Sequence, residues 1–332
     1  MEDLLEAIRR GHPRAIARAI SLIENGTEEG TILMQGLYGM KHRCRVIGVT
    51  GTPGAGKSTL IDQMITYLRQ HEKKVAVLAV DPSSPFSKGA LLGDRIRMQK
   101  HALDTNVFIR SVGSRGHRGG LSVATYEVIQ VLAAAQYDWV ILETVGVGQG
   151  EWDVMHVVDS ILLLLTPGGG DLIQAYKAGI MEIAHLYVVN KIDLPGADQL
   201  VHELEAMLHS ASLPTPWSPP IIKLSAASGE GIGPLFQALE EHHHYLQASG
   251  ELASREVTRI RAHFMQRVEQ ELIKYLNQAL EPTIDEYVKR IEQGEGDPYQ
   301  LAQQLIATRI APNLEQTRRE EQVEKPARGE SK

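Results

Sequence analysis

Arg45-Val46-Ile47-Gly48-Val49-Thr50-Gly51-Thr52-Pro53-Gly54-Ala55-Gly56-Lys57-Ser58-Thr59 joins a short apolar strand to a helix through a glycine-rich turn. Its centre, Gly51–Ser58, fits G-x-x-x-x-G-K-[ST] in the strand–loop–helix setting that the pattern requires. Glycines let successive backbone N–H groups turn inward around phosphate oxygens, and the helix N-terminus adds partial positive charge. Gly51, Thr52, Pro53, Gly54, Ala55 and Gly56 therefore form the expected phosphate cradle, with Thr59 closing it. Lys57 is expected to reach the β- and γ-phosphates and Ser58 to offer its hydroxyl to Mg²⁺.

Outward from this loop, apolar runs alternate with helical spacing. Val75–Val80, Asn106–Val112, Trp139–Leu142, Ser160–Leu165, Leu186–Val189 and Ile221–Leu224 read as buried strands, and Lys57–Gln70 as a helix. Strands apolar on both faces and separated by helices predict an α/β fold with a mainly parallel sheet covered on both sides. Before it, Leu4, Leu5, Ile8, Ile16, Ala19, Ile20 and Ile23 recur at helical spacing, with Glu24-Asn25-Gly26-Thr27 as a turn. After about residue 248 the strand signal stops. Ala253–Leu280 and Thr283–Ile291 predict two helices, and Tyr299–Arg309 a last one. Such an arm has little core of its own, so a second copy of the chain is the expected cover. The charged tail Asn313–Lys332 is expected to be disordered.

A second motif names the base. Asn190-Lys191-Ile192-Asp193 ends the strand Leu186–Val189. An aspartate there accepts hydrogen bonds from the guanine N1–H and 2-amino group, a donor pair that adenine lacks. Asn190 is expected to hold N7, the Lys191 stem to cover a ring face, and Ser225-Ala226-Ala227 to offer a backbone N–H to O6. The order of the two motifs predicts GTP or GDP rather than ATP.

Carboxylates at strand ends complete the expected site. Asp81 follows Val75–Val80 and Glu143 ends the strand begun at Trp139, both suited to Mg²⁺. Asp94 is a further Mg²⁺ candidate, or alternatively a helix N-cap. Gly146 could offer its N–H to the γ-phosphate and so sense hydrolysis. Gln149 lies three residues after Gly146, so a water-positioning role does not follow from spacing alone. Arg115 and Arg118, in the loop Ser114–Gly120, are candidates to stabilise γ-phosphate charge, or solvated loop arginines.

Composition bounds the rest. The chain has 332 residues, 43% of them hydrophobic, and a formal charge of −7. Length alone gives a prior of about two domains. The acidic balance argues against nucleic acid or an acidic membrane as main partner. One cysteine, Cys44, makes no internal disulfide and suits a reducing cytoplasm. It is expected to be a core residue. Neither a signal peptide nor a membrane span is evident, so a cytoplasmic location is expected.

Together these strings resemble the MeaB/ArgK-type methylmalonyl-CoA mutase-associated branch of the P-loop GTPases. The likeness rests on Gly48–Ser58, Val80-Asp81-Pro82-Ser83-Ser84, Gly93-Asp94-Arg95-Ile96-Arg97-Met98, Glu143-Thr144-Val145-Gly146-Val147-Gly148-Gln149 and Val189–Asp193. It implies an N-terminal helical extension over 1–42, a G domain over 43–248, a C-terminal helical dimerisation arm over 249–312, and the tail. It also implies a slow, partner-stimulated GTPase that controls loading and protection of adenosylcobalamin on methylmalonyl-CoA mutase or a related mutase. Carried over by position, Lys57, Ser58, Asp81, Asp94 and Glu143 serve the nucleotide and Mg²⁺, while Gln174 and Lys177 match a switch that couples nucleotide state to the mutase. The family usually has serine where Gly150 stands and an apolar residue at Arg118, so hydrolysis and coupling are where this chain departs.

Two other functions compete. Members of the family have carried an arginine/ornithine transport kinase label, which would make the chain a phosphotransferase. A sister branch delivers nickel, for which His242-His243-His244 is the only dense histidine run. Consecutive helical residues point apart, so a solvated helix end is the expectation there.

Overall fold

A computed structural model of the chain describes residues 1–38, 43–80, 99–101, 103–112, 120–144, 156–168, 170–177, 179–210 and 216–310. Two compact units divide the chain, Met1–Gln266 and Arg267–Lys332.

Three helices open the first unit: α1 (Glu2–Arg9), α2 (Pro13–Glu24) and α3 (Glu28–Leu37). Pro13 starts α2 where its missing N–H costs nothing, and Thr27 caps α3 by accepting from the Gly30 N–H at 3.1 Å. Strand β1 (Arg45–Gly51) then enters the sheet and gives way to α4 (Lys57–Gln70). β2 (Val75–Val80), β3 (Val107–Val112), α5 (Gly120–Ala134), β4 (Trp139–Thr144) and β5 (Ser160–Leu165) follow. After these come α6 (Asp171–Lys177), β6 (Leu186–Val189), α7 (Ala197–Ser210), β7 (Ile221–Lys223), α8 (Ile232–Ala248) and α9 (Glu251–Glu292).

The seven strands form one sheet in the order β3-β2-β4-β1-β5-β6-β7, and every neighbouring pair is parallel. β1 sits at the centre, between β4 and β5, so the strand order reverses beside its C-terminal end. Open α/β sheets bind ligands at that position. All residues of β4 and β5 are buried, as expected for strands covered on both faces.

One face carries α4 and α8: Leu60, Ile61, Met64, Ile65 and Leu68 pack with Leu235, Phe236 and Leu239 over Val49, Val77 and Ile141. On the other, Ile8, Ile16, Ile20, Ile23 and Leu33 share a core with Val46, Leu78, Val140 and the α5 residues Val128 and Leu132. The N-terminal helices therefore bury their apolar stripe in the sheet's own core. An ion pair fastens them to the edge strand: Arg110 on β3 donates to Glu24 (2.7 Å), the Ala17 carbonyl (2.7 Å) and Ser21 Oγ (2.9 Å). Cys44 is buried at the start of β1, and burial pushes its thiol up to about 12.

The second unit begins within α9. A single helix spans Glu251–Glu292, where the pattern predicts two, so the position of Pro282 does not end it. α10 (Pro298–Leu305) is capped by Asp297, which accepts from the N–H groups of Tyr299 and Gln300, and its own Leu301 is buried. A turn of π-helix, Ile306–Ile310, follows. Leu272, Ile273, Tyr275 and Val288 are exposed. No helix among the described residues is long and apolar enough to cross a membrane.

Candidate nucleotide site

Six strands, β1, β2, β4, β5, β6 and β7, deliver the site at the C-terminal edge of the sheet. β1 ends at Gly51, which is paired with Leu164 of β5. A Cβ on Gly51 would lie 2.4 Å from the Leu164 carbonyl oxygen, so the loop can leave the sheet here only through glycine. Gly56 has φ of +95°, and its missing Cβ would sit 2.5 Å from Nδ2 of Asn190. The second glycine therefore makes room for the residue that starts the base motif.

Lys57 opens α4 almost fully buried, and its ammonium donates to the carbonyls of Gly51 (2.8 Å) and Thr52 (3.1 Å). Beside it the Ser58 hydroxyl donates to Oε1 of Glu143 at 2.8 Å, and both residues are buried. This pair joins the helix start to the end of β4. A hydroxyl and a carboxylate in contact at the mouth of a phosphate loop are hard oxygen donors of the kind Mg²⁺ takes. Pro53, Gly54, Gly56, Lys57, Ser58, Thr59, Ala79, Glu143, Thr144 and Lys191 line a cavity of about 500 Å³ over the loop. The residues present thus fit a nucleotide phosphate chain with its ion.

The base motif is tied to this loop by side chains. Asn190, buried at the end of β6, donates from Nδ2 to the Ala55 carbonyl at 2.8 Å and accepts from the Ala226 N–H at 2.9 Å. One carboxamide thereby fixes the phosphate loop, the base motif and the loop after β7 relative to one another. Lys191, in the left-handed region at φ 59°, lays its ammonium on the Gly54 carbonyl at 2.9 Å. Asp193 is exposed, and its Oδ1 accepts from the buried Ser225 hydroxyl at 3.1 Å. Of the trio after β7, Ser225 holds the carboxylate, the Ala226 N–H serves Asn190, and Ala227 stands at the exposed rim.

Gln174, exposed on α6, lines a neighbouring cavity of about 530 Å³ with Thr52, Pro53, Gly54, Thr166, Pro167, Gly168 and Lys191. Lys177 is exposed on the same short helix. Asp81, Asp94, Arg115, Arg118, Gly146, Gln149 and Gly150 lie outside the described residues. Thr144 and Thr166 line these cavities without a sequence role of their own; their only signal is that each stands where a buried strand ends at this edge.

The histidine run departs from expectation. His242 is fully buried, its Nδ1 2.7 Å from Ser160 Oγ at the opposite edge of the sheet, while His244 is exposed. His242 is a core residue because α8 turns that face onto β5, and burial holds its imidazole down to about 4. Among the described residues no group of three or more His, Cys, Asp or Glu side chains is placed to hold a metal ion.

Comparison with known proteins agrees with this geometry. A Pyrococcus horikoshii protein named as a GTPase is 44% identical over 263 residues, covering 78% of this chain and 83% of that protein. GTPase ArgK of Escherichia coli is 38% identical, covering 76% and 78%. The mouse protein named methylmalonic aciduria type A homolog, mitochondrial, is 33% identical, covering 88% and 74%. Among solved structures, one described as a LAO/AO transport system kinase superposes with a TM-score of 0.67 at 28% identity, over 92% of this chain and 95% of that one. The family profile described as methylmalonyl-CoA mutase-associated GTPase MeaB matches residues 16–281, and the chain, with its phosphate loop and guanine motif joined through Asn190, belongs to that family of P-loop GTPases.

Proposed function

We propose that the chain is a GTP-hydrolysing chaperone that assists loading and protection of adenosylcobalamin in methylmalonyl-CoA mutase or a related mutase. In this reading it acts as a homodimer joined through its C-terminal arm. The observation that supports the GTPase half is the joint at Asn190, which bonds the phosphate loop at Ala55 and the loop after β7 at Ala226, beside the Ser225 that holds the carboxylate assigned to guanine. The mutase half is supported by the family and by the name of the mouse relative.

This reading assigns the residues their roles, some from the described contacts and the rest from the resemblance. Lys57 neutralises phosphate charge from inside the loop, and Ser225 orients Asp193 toward the base. Ser58 and Glu143 would hold Mg²⁺, with Asp81 and Asp94 assigned to the same ion by resemblance; when bound, it would supply positive charge to the phosphate chain. Gly146 and Gln149 serve the γ-phosphate side, Arg115 and Arg118 its charge, and Gln174 and Lys177 relay nucleotide state to the mutase.

Affinity capture of a cobalamin-dependent mutase tests this reading. The chain loaded with a non-hydrolysable GTP analogue is expected to retain the mutase with a different affinity from the GDP-loaded chain. No binding in either state would remove the chaperone role and leave GTP binding standing. The solved neighbour's description as a kinase keeps phosphotransfer as the competing reading. Label from GTP carrying ³²P at the γ-position is expected only in free phosphate, and label in an amino acid or protein acceptor would favour transfer.

A further inference from the structure

A second cavity, of about 530 Å³, lies between the phosphate loop and α6, with Thr52, Thr166, Gln174 and Lys191 among the residues that line it. It shares Pro53, Gly54 and Lys191 with the nucleotide cavity, so the two are adjacent. Thr52 lines the second cavity yet belongs to the loop. Its carbonyl accepts from the Lys57 ammonium at 3.1 Å and from the Ala55 N–H at 3.2 Å, so the setting of its backbone helps to decide where that ammonium sits. Its hydroxyl has no such employment. Thr52 is only 2% exposed, and among the described residues its Oγ1 has no hydrogen-bond partner. A buried hydroxyl left unpaired is destabilising, so a conformation that pairs it is favoured.

Gln174 can supply the pairing. α6 is seated on the sheet through Ala175, fully buried in a core with Leu165 of β5 and Val189 of β6. The Gln174 N–H donates to the Gly170 carbonyl at 3.1 Å. This seat holds Gln174 at the cavity, where its exposed carboxamide brings both a donor and an acceptor on a flexible stem. Lys191, on the same lining, is already committed to the Gly54 carbonyl at 2.9 Å.

We propose that Thr52 and Gln174 are a positioning pair for nucleotide binding: the Gln174 carboxamide bonds the Thr52 hydroxyl when the phosphate loop is filled, and braces the residue whose carbonyl holds Lys57. A bond made in the nucleotide-bound chain and not in the empty one adds to affinity, not to the stability of the free protein. The inference rests on the reading of Gly51–Ser58 as a guanine-nucleotide loop, and it takes from Gln174 only its place at the cavity.

A double-mutant cycle in the full chain tests it, with Thr52→Val, Gln174→Ala and the two combined, and with Thr52→Ser as the conservative variant. The Kd of a fluorescent GDP analogue and the Tm of the nucleotide-free protein are measured for each. Either single variant is expected to bind GDP about fivefold more weakly, the effect of one lost hydrogen bond. The double variant is expected to be no weaker than the singles, and Tm of Gln174→Ala to match wild type. Thr52→Ser, which keeps the hydroxyl, is expected to recover most of the loss. Gln174 is exposed, so if Thr52→Val does not fold, Gln174→Ala and Thr52→Ser carry the test. Wild-type GDP affinity in Gln174→Ala would overturn the proposal, as would single losses that multiply in the double variant. Thr52→Ser as weak as Gln174→Ala would overturn it too. A wild-type chain that binds no labelled GDP would instead overturn the nucleotide reading on which it stands.

Discussion

Asn190 illustrates how much of this site is carried by side chains that hold other parts of the site. Its carboxamide gives one donor to the Ala55 carbonyl and its oxygen to the Ala226 N–H, so Asn190→Ala is expected to loosen phosphate and base contacts together. Loss of two buried bonds corresponds to roughly a ten- to hundredfold weaker GDP affinity, measurable by fluorescence titration. Asp193 gives a sharper case. In Asp193→Asn the carboxamide loses its match to the guanine donors but suits xanthine, which has a carbonyl in place of the 2-amino group. GTP affinity is expected to fall by about a hundredfold or more and XTP to become the better ligand in a competition titration. Both motifs were legible in the sequence because each is a short contiguous string. The joint between them was not: Ala55 and Asn190 are brought together only by the sheet order, and the need for glycine at position 56 becomes clear only once Asn190 is seen against it.

At the scale of elements, the buried pair Glu24–Arg110 holds α2 on the edge strand β3. Removing one partner leaves a buried charge, so Arg110→Ala is expected to cost about 3–5 kcal/mol in chemical denaturation, and Glu24→Gln less. The His185–His242 pair gives a pH dependence. Burial first, then the neighbouring His242 and Arg255, hold His185 down to about 2; burial and Arg255 hold His242 down to about 4. Both rings are neutral in the fold and take a proton in the unfolded chain below about 6.5. Their contribution is whole above that pH and is lost as pH falls toward the folded values. For His242 alone the loss is about 3 kcal/mol between about pH 7 and 4, so His242→Phe is expected to flatten the acid limb of the stability curve. Strand and helix positions were readable because apolar runs and helical spacing are local; the helix Lys57–Gln70 was expected over the residues it occupies. His242 was not, because Ser160, His185 and Trp217, which surround it, stand far from it in the chain. Buried Asp159, between Val157-Val158 and an apolar strand, is a charge that needs a partner, but nothing in the sequence names Arg259, which donates to its Oδ1 at 3.0 Å.

For the whole molecule, the exposed apolar residues Leu272, Ile273 and Tyr275 of the second unit are what a second copy would cover. Leu272→Glu combined with Tyr275→Glu in the full chain is expected to convert a dimer to a monomer by light scattering; an unchanged dimer would place the contact elsewhere. Neither position lines the cavity over the phosphate loop, so GTP binding is expected to persist in the monomer. That the chain binds guanine nucleotides through its phosphate loop is the claim on which the rest depends. Displacement of labelled GDP in the presence of Mg²⁺ tests it most directly: unlabelled GTP is expected to compete at concentrations near its own Kd, and ATP not even at roughly a hundredfold excess, whereas ATP competing at the same concentration as GTP would contradict the account.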